Sequence, residues 1–222
     1  MIRLCGVHLV QLPSRSKLSR CVNPDFYDVW RVNHRSVRDE RAARVSLGGL
    51  LLLDYCDIKG ILAYEANGRP YIKRSEIDFN ITHTDQQIFC AVETPDGAFD
   101  TSLRVGLDAE NLKRIQNIRI CPMASRWFTE REFAEFQKDP TDLSFSRIWT
   151  RKEALVKWTG EGFRALRCAD TTLAEQTLDI RFHEYRIGDT LVTLCCRACA
   201  TPPKEIEMLP NSCLLEKGIR IT

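Results

Sequence analysis

Apolar and polar positions alternate from Met1 to Leu9, the period-two pattern of a half-buried strand, so residues 1–10 are read as β. From Arg35 to Tyr55 the period lengthens. Val45, Leu47, Leu50, Leu51 and Leu53 recur at helical spacing and predict one helix with these side chains on the core. Ile77 to Val92 is strand material broken at Asp85-Gln86, and Thr94-Pro95-Asp96-Gly97 is a turn leading through a short connector to Thr101. A second series begins with a strand from Leu103 to Glu110. A helix follows from Thr129, with Glu132 completing a capping box and Phe128 against Phe133 as a hydrophobic staple, and Lys138-Asp139-Pro140 ends it. The next helix, from Asp142 to Trp158, is stopped by Gly160 and Gly162. Strands are expected at 178–187 and 190–200, and the three prolines after Thr201 suggest a surface tail. Each half therefore holds a leading strand, a helix and later strands. The expectation is an α+β fold of two halves, residues 1–100 and 101–222.

The second long helix carries chemistry on its edge. Phe145, Ile148, Trp149, Lys152, Leu155 and Val156 fall in one stripe, with Glu153 and Lys157 beside it. Taken alone, Glu153 and Lys157 are an ordinary i,i+4 ion pair. Asp108 and Glu110, two apart on a strand, point to the same side. Alone they are a solvent-facing edge device, but Val105 and Leu107 alternate with them, and two adjacent like charges call for a cation. Three carboxylates and a lysine make an oxygen-ligand set suited to Mg²⁺, with phosphate oxygens and water completing the sphere.

These segments, Val105-Gly106-Leu107-Asp108-Ala109-Glu110 and Trp149-Thr150-Arg151-Lys152-Glu153-Ala154-Leu155-Val156-Lys157, resemble the signature of the 4′-phosphopantetheinyl transferases, in their single-chain form. Upstream, Asn67-Gly68-Arg69-Pro70-Tyr71 resembles the family's Gly-Lys-Pro turn, and Phe79-Asn80-Ile81-Thr82-His83-Thr84 followed by Ala91-Val92 resembles its Phe-Asn-x-Ser-His-Ser strand. Arg126-Trp127-Phe128-Thr129-Glu130-Arg131-Glu132-Phe133 and Gly160-Glu161-Gly162-Phe163 are similar to its remaining motifs, all in family order.

The resemblance implies two similar halves related by a pseudo-two-fold, with the active site in the cleft between them. It implies transfer of the 4′-phosphopantetheine arm of coenzyme A to a serine of an acyl, peptidyl or polyketide carrier protein, releasing adenosine 3′,5′-bisphosphate. In that scheme Asp108, Glu110 and Glu153 hold Mg²⁺, or Mn²⁺ in its place. Glu153, or a water it holds, takes the serine proton, and Lys157 neutralises the leaving side. Coenzyme A is held by Arg44, Gly68, Arg69, Pro70, Thr82, His83, Lys152 and Lys157. His83 faces a phosphate, Arg69 the nucleotide and Arg44 the 3′-phosphate, with Lys152 a secondary phosphate contact. The expected state is a cytoplasmic monomer. Two other readings stay open: another Mg²⁺-dependent pyrophosphate-cleaving enzyme, and a non-catalytic relative that binds carrier protein.

Composition narrows the field without choosing within it. The 222 residues, 44% hydrophobic and 28% charged, are those of an ordinary globular chain, and a net charge of +2 gives no electrostatic call for nucleic acid. Leu47 to Leu53 is too short an apolar run for a membrane span, and the N-terminus lacks the pattern of a signal peptide. Arg35, Arg38, Arg41 and Arg44 also read as a solvated basic face, with Asp39 and Glu40 as partners. No Gly-x-x-x-x-Gly-Lys-(Ser/Thr) loop occurs, which excludes a P-loop. Ten cysteines without a secretory signal suggest reduced thiols, and Cys196-x-x-Cys199 lies in a strand-like run with no partner pair at metal spacing.

Overall fold

Period two along the first strand is what makes the molecule layered. In the computed structural model, which describes residues 1–34, 39–96, 103–210 and 212–214, β1 (Ile2–His8) sends Cys5 and Val7 to one side and Ile2 and Leu4 to the other. Two short helices follow, α1 (Arg15–Cys21) and α2 (Pro24–Asn33). Then comes α3 (Glu40–Tyr55), whose N-cap is Asp39. The expected helix start at Arg35 falls on residues 35–38, outside the described residues. Leu47, Leu50, Leu51 and Leu53 are buried on α3 as expected, and Leu52 and two glycines join them, so the helix is enclosed on most of its circumference.

A two-stranded ribbon, β2 (Leu62–Tyr64) and β3 (Pro70–Ile72), precedes the hairpin β4 (Asp78–His83) and β5 (Gln87–Glu93). The break at Asp85-Gln86 is the hairpin turn. The first sheet has the order β4-β5-β1 with a further strand at its edge. On β5, Ile88, Cys90 and Val92 face α3, while Phe89 and Ala91 face the other way.

The second series runs β6 (Gly106–Asn111), α4 (Leu112–Ile115), α5 (Ile120–Trp127), α6 (Glu130–Phe136), α7 (Asp142–Thr159), α8 (Thr171–Thr177), β7 (Ile180–Ile187) and β8 (Thr190–Arg197). The second sheet has the order β6-β8-β7, all antiparallel. Val105, Leu107, Val192, Leu194 and Cys196 face Ile2, Leu4, Phe89 and Ala91 across a shared core. Cys195 and Ile180 face Leu155 and Ala154 of α7. Helix α3, the first sheet, the second sheet and helix α7 are thus stacked in that order, an α+β fold.

Close approach of β6 to α7 requires a glycine. A Cβ on Gly106 would collide with the Ala154 carbonyl oxygen and come within 2.7 Å of the Trp158 backbone nitrogen. Helix α7 ends on Gly160, whose φ of +76° gives the left-handed C-cap. The capping box of Thr129 and Glu132 forms as expected. Phe128 stacks on Phe145 and meets Phe136 edge-on, and Phe133 packs partly buried against the same cluster, its ring 6.4 Å from that of Phe136.

The stretch after Thr201 is not a surface tail. Glu207–Met208 forms β9, parallel to β1, and Ile206, Leu209 and Leu214 are buried. Its prolines at 202, 203 and 210 flank the two-residue strand and leave its N–H groups free to pair. None of the ten cysteines is in a disulfide, and Cys195 and Cys196 are buried on β8. Among the described residues, no helix is long and apolar enough to cross a membrane.

Candidate active site

Three alternate side chains of β4 reach across to β6. The Leu107 N–H donates to Asn80 Oδ1 at 3.1 Å, the Val105 N–H donates to Asp78 Oδ2 at 2.8 Å, and the Thr82 hydroxyl donates to Asp108 Oδ1 at 3.3 Å. The Asp78 and Asn80 side-chain oxygens thereby satisfy two backbone N–H groups on that edge, while Thr82 bonds the Asp108 side chain. Arg69 closes the junction. Its guanidinium donates to Asp78 Oδ2 at 2.7 Å, to the Val105 carbonyl at 3.1 Å and to the Lys157 carbonyl. The neighbouring Gly68 has φ +89°, the conformation that lets the ribbon turn deliver Arg69 there.

This junction places Lys157 over Asp108. Lys157 Nζ is 2.7 Å from Asp108 Oδ1 and also donates to the Leu107 carbonyl at 3.0 Å and to Thr82 Oγ1 at 3.3 Å. The bland pairing of Lys157 with Glu153 along the helix is therefore not the contact made. Burial, then the nearby Asp108 charge, pushes the Glu153 carboxyl up to about 7, with Glu110 adding to the rise and Lys157 opposing it. Burial likewise raises Glu110, against the pull of Arg114, whose Nη1 lies 3.7 Å from Glu110 Oε1. Three carboxylates thus share a small cavity of about 250 Å³ with His83 and Arg114. Among the described residues no three His, Cys, Asp or Glu side chains are arranged as a ready metal-ligand set.

Two further cavities adjoin it. One, of about 690 Å³, lies between α3, β4 and the β2-β3 ribbon, and His83 and Arg114 line both it and the carboxylate cavity. The other, of about 300 Å³, is lined by Gly68, Pro70, Ile81, Val156, Phe163 and Leu166 and reaches Glu153 and Lys157. Pro70 and Ile81 are common to the two larger cavities. Glu153 is common to the apolar one and the carboxylate one.

The structure brings Asp108, Glu110, Glu153, Lys157, Thr82 and His83 together, with Gly68 and Pro70 at the edge of the same cavities. Three expected ligand contacts fall elsewhere. Lys152 is 0% exposed, its Nζ 2.6 Å from Glu132 Oε2 and donating to the Ala169 carbonyl, so it faces away from any phosphate. The stripe that placed Lys152 among core residues was right about its side, and the capping-box glutamate supplies its counter-charge. The Arg69 guanidinium is committed to the junction, its side chain 8% exposed, and Arg69 lines the apolar cavity and not the large one. Arg44 spends Nε and Nη2 on the carbonyls of Pro13, Leu9 and Leu12, holding the loop after β1. In its place Arg41 and Arg114 line the large cavity. Arg41 was one of the evenly spaced arginines, and Arg114 stands four residues after Glu110, a spacing that could have singled it out.

Residues 104–195 match the family described as the 4′-phosphopantetheinyl transferase superfamily, so the kinship suggested by the motifs is borne out over that segment. The chain is similar to 4′-phosphopantetheinyl transferase HetI of Nostoc sp., with 30% identity over 130 residues, 55% of this chain and 50% of that protein. It is similar to 4′-phosphopantetheinyl transferase gsp of Aneurinibacillus migulanus, at 30% over 141 residues, 59% of this chain and 53% of that one. With 4′-phosphopantetheinyl transferase ffp of Bacillus subtilis it shares 25% over 196 residues, 82% and 78% respectively. The chain thus spans about half the length of the first two and about three quarters of the third.

Proposed function

We propose that this chain, whose second half carries the superfamily match, transfers 4′-phosphopantetheine from coenzyme A to a serine of a carrier protein. The observation that carries the reading is the placement of Glu153, a half-buried carboxyl raised to about 7, with Asp108 and Lys157 where a polar and an apolar cavity meet. Coenzyme A has three chemically distinct parts, and the three adjoining cavities offer a matching place for each. The nucleotide suits the large cavity, the pyrophosphate suits the space beside His83 and Arg114, and the pantetheine arm suits the apolar cavity under Phe163.

In the reaction the serine oxygen bonds to the phosphorus on the pantetheine side, and the bridging P–O bond breaks. Adenosine 3′,5′-bisphosphate leaves with the bridging oxygen. Glu153, or a water it holds, stands beside Asp108 and Lys157 where the serine proton has to be taken. Lys157 and Arg114 bring positive charge to the phosphate oxygens on which negative charge builds up. The donor set of Asp108, Glu110 and Glu153 fits Mg²⁺ in type, since all are hard oxygen ligands and their mutual repulsion is only partly offset by Lys157 and Arg114. When bound, Mg²⁺ would supply charge neutralisation on the pyrophosphate.

Two halves related by a pseudo-two-fold, residues 1–100 and 101–222, would form the cleft, with Arg69 and Asp78 at their seam. A cytosolic setting agrees with ten cysteines outside any disulfide. The test is incubation with coenzyme A, Mg²⁺ and a panel of apo-carrier proteins, followed by intact-mass measurement. A carrier mass increased by one phosphopantetheine is expected, lost in EDTA and in Asp108→Ala. No mass gain on any carrier would reject the reading, and equal activity in EDTA would reject the metal.

A further inference from the structure

We infer that the purine ring of the donor stacks on His34, in the corner His34 makes with Tyr64. The inference rests on the reading of the large cavity as the nucleotide site. Arg69, the turn residue in which a cation could have lain against the base, is locked into Asp78, Val105 and Lys157. Arg69 lines the apolar cavity and not the large one, so a base in the large cavity needs another planar surface.

Helix α2 provides one. Tyr27, Trp30 and His34 form a continuous column, with centroids 5.7 Å and 5.3 Å apart and planes within 22° and 12°. Spacings of three and four residues put all three rings on one face of α2 and at its C-cap. The column is anchored at both levels. Trp30 is buried and its indole N–H donates to Ser46 Oγ of α3 at 2.7 Å, while His34 Nδ1 lies 3.0 Å from the Trp30 carbonyl, which fixes the ring's orientation and makes Nδ1 the protonated nitrogen. His34 is the end of the stack that lines the 690 Å³ cavity.

Tyr64 closes the corner, its ring 5.9 Å from His34 at an interplanar angle of 63°. A base laid on His34 meets the side wall of Tyr64, the offset and edge-on contacts that aromatic rings prefer. Tyr64 sits opposite Pro70 in the β2-β3 register, and Pro70 lines both the large and the apolar cavity. A base in this corner thus leaves the rest of the donor to pass His83 toward Glu153. Neither His34 nor Tyr64 belongs to the motif set read from the sequence.

The experiment uses the full chain with coenzyme A as substrate and adenosine 3′,5′-bisphosphate as binding probe. His34→Ala should raise KM for coenzyme A and Kd for the bisphosphate about tenfold, equivalent to about 1.4 kcal/mol, with kcat unchanged. His34→Phe should restore both, since it keeps the stacking face, and Tyr64→Leu should weaken both several-fold. Wild-type affinity in His34→Ala and Tyr64→Leu would overturn the inference while leaving the nucleotide site intact. A fall in kcat that His34→Phe does not rescue would overturn it in favour of a structural role. Wild-type protein that neither turns over coenzyme A nor binds the bisphosphate would remove the site reading itself.

Discussion

Lys152 and Lys157 are five residues apart on one helix and have opposite fates. Lys157 reaches a carboxylate at a cavity edge, whereas Lys152 is enclosed with Glu132. Glu132 also accepts from the Thr129 and Thr171 N–H groups and from the Thr171 hydroxyl, so the pair is embedded in a satisfied network. Removing one partner leaves a buried charge uncompensated. Lys152→Ala is therefore expected to destabilise the protein by about 3–5 kcal/mol, whereas Lys152→Met with Glu132→Gln should recover much of that in urea unfolding. Equal stability of Lys152→Ala and wild type would contradict the burial.

Glu153 gives a second prediction at this scale. Its folded affinity for a proton, about 7 against an ordinary 4.5, means the folded state binds the proton more strongly. The associated stability is fully present below about 4.5 and is lost as pH rises through about 7. In metal-free buffer, Glu153→Gln should melt higher than wild type at pH 8 by on the order of 3 °C. The difference should vanish near pH 4.5. A difference that does not change with pH would show that ionisation of Glu153 is not its source.

At the scale of elements, the site depends on two strands and a helix held closer than side chains normally permit. Gly106 allows α7 to ride on β6, and the Asp78, Asn80 and Thr82 side chains tie β4 to the same strand. Gly106→Ala would force backbone against backbone, where no rotamer change relieves the clash. A loss of about 3 kcal/mol or more is expected, read as a lower urea midpoint together with loss of transfer. An unchanged midpoint would mean that the strand and helix have room to separate.

At the scale of the molecule, the chain's last described segment returns to its first strand. β9 pairs with β1, Leu209 N–H donates to the Gly6 carbonyl at 2.8 Å, and the Tyr55 hydroxyl donates to Glu207 at 2.6 Å. A chain ending at residue 203 loses the buried Ile206, Leu209 and Leu214. At about 1.5–3 kcal/mol for each such side chain, Tm should fall by on the order of 15 °C. A Tm unmoved by the truncation would mean that the segment contributes nothing to the core.

Much of this was legible in local pattern. β1, α3 from Glu40, the β4-β5 hairpin, β6, α6, α7, β7 and β8 all follow from periodicity and capping, because those signals are written within a few residues of where they act. Asp108, Glu110 and Glu153 were legible for the same reason: their spacings fix which face of strand or helix they share. The helices between residues 15 and 33 are not among the expected elements, although Asn23-Pro24 is a helix start, with Asn23 Oδ1 accepting the Asp25 N–H at 2.9 Å. What local pattern could not decide was the partner of each charge. Whether Lys152, Arg69 and Arg44 face a ligand or the protein depends on groups up to 88 residues away in sequence, such as the carbonyl of Lys157 beside Arg69. A cation's availability is settled by which acceptors the packed chain leaves within hydrogen-bond reach, and only the tertiary structure brings those acceptors together.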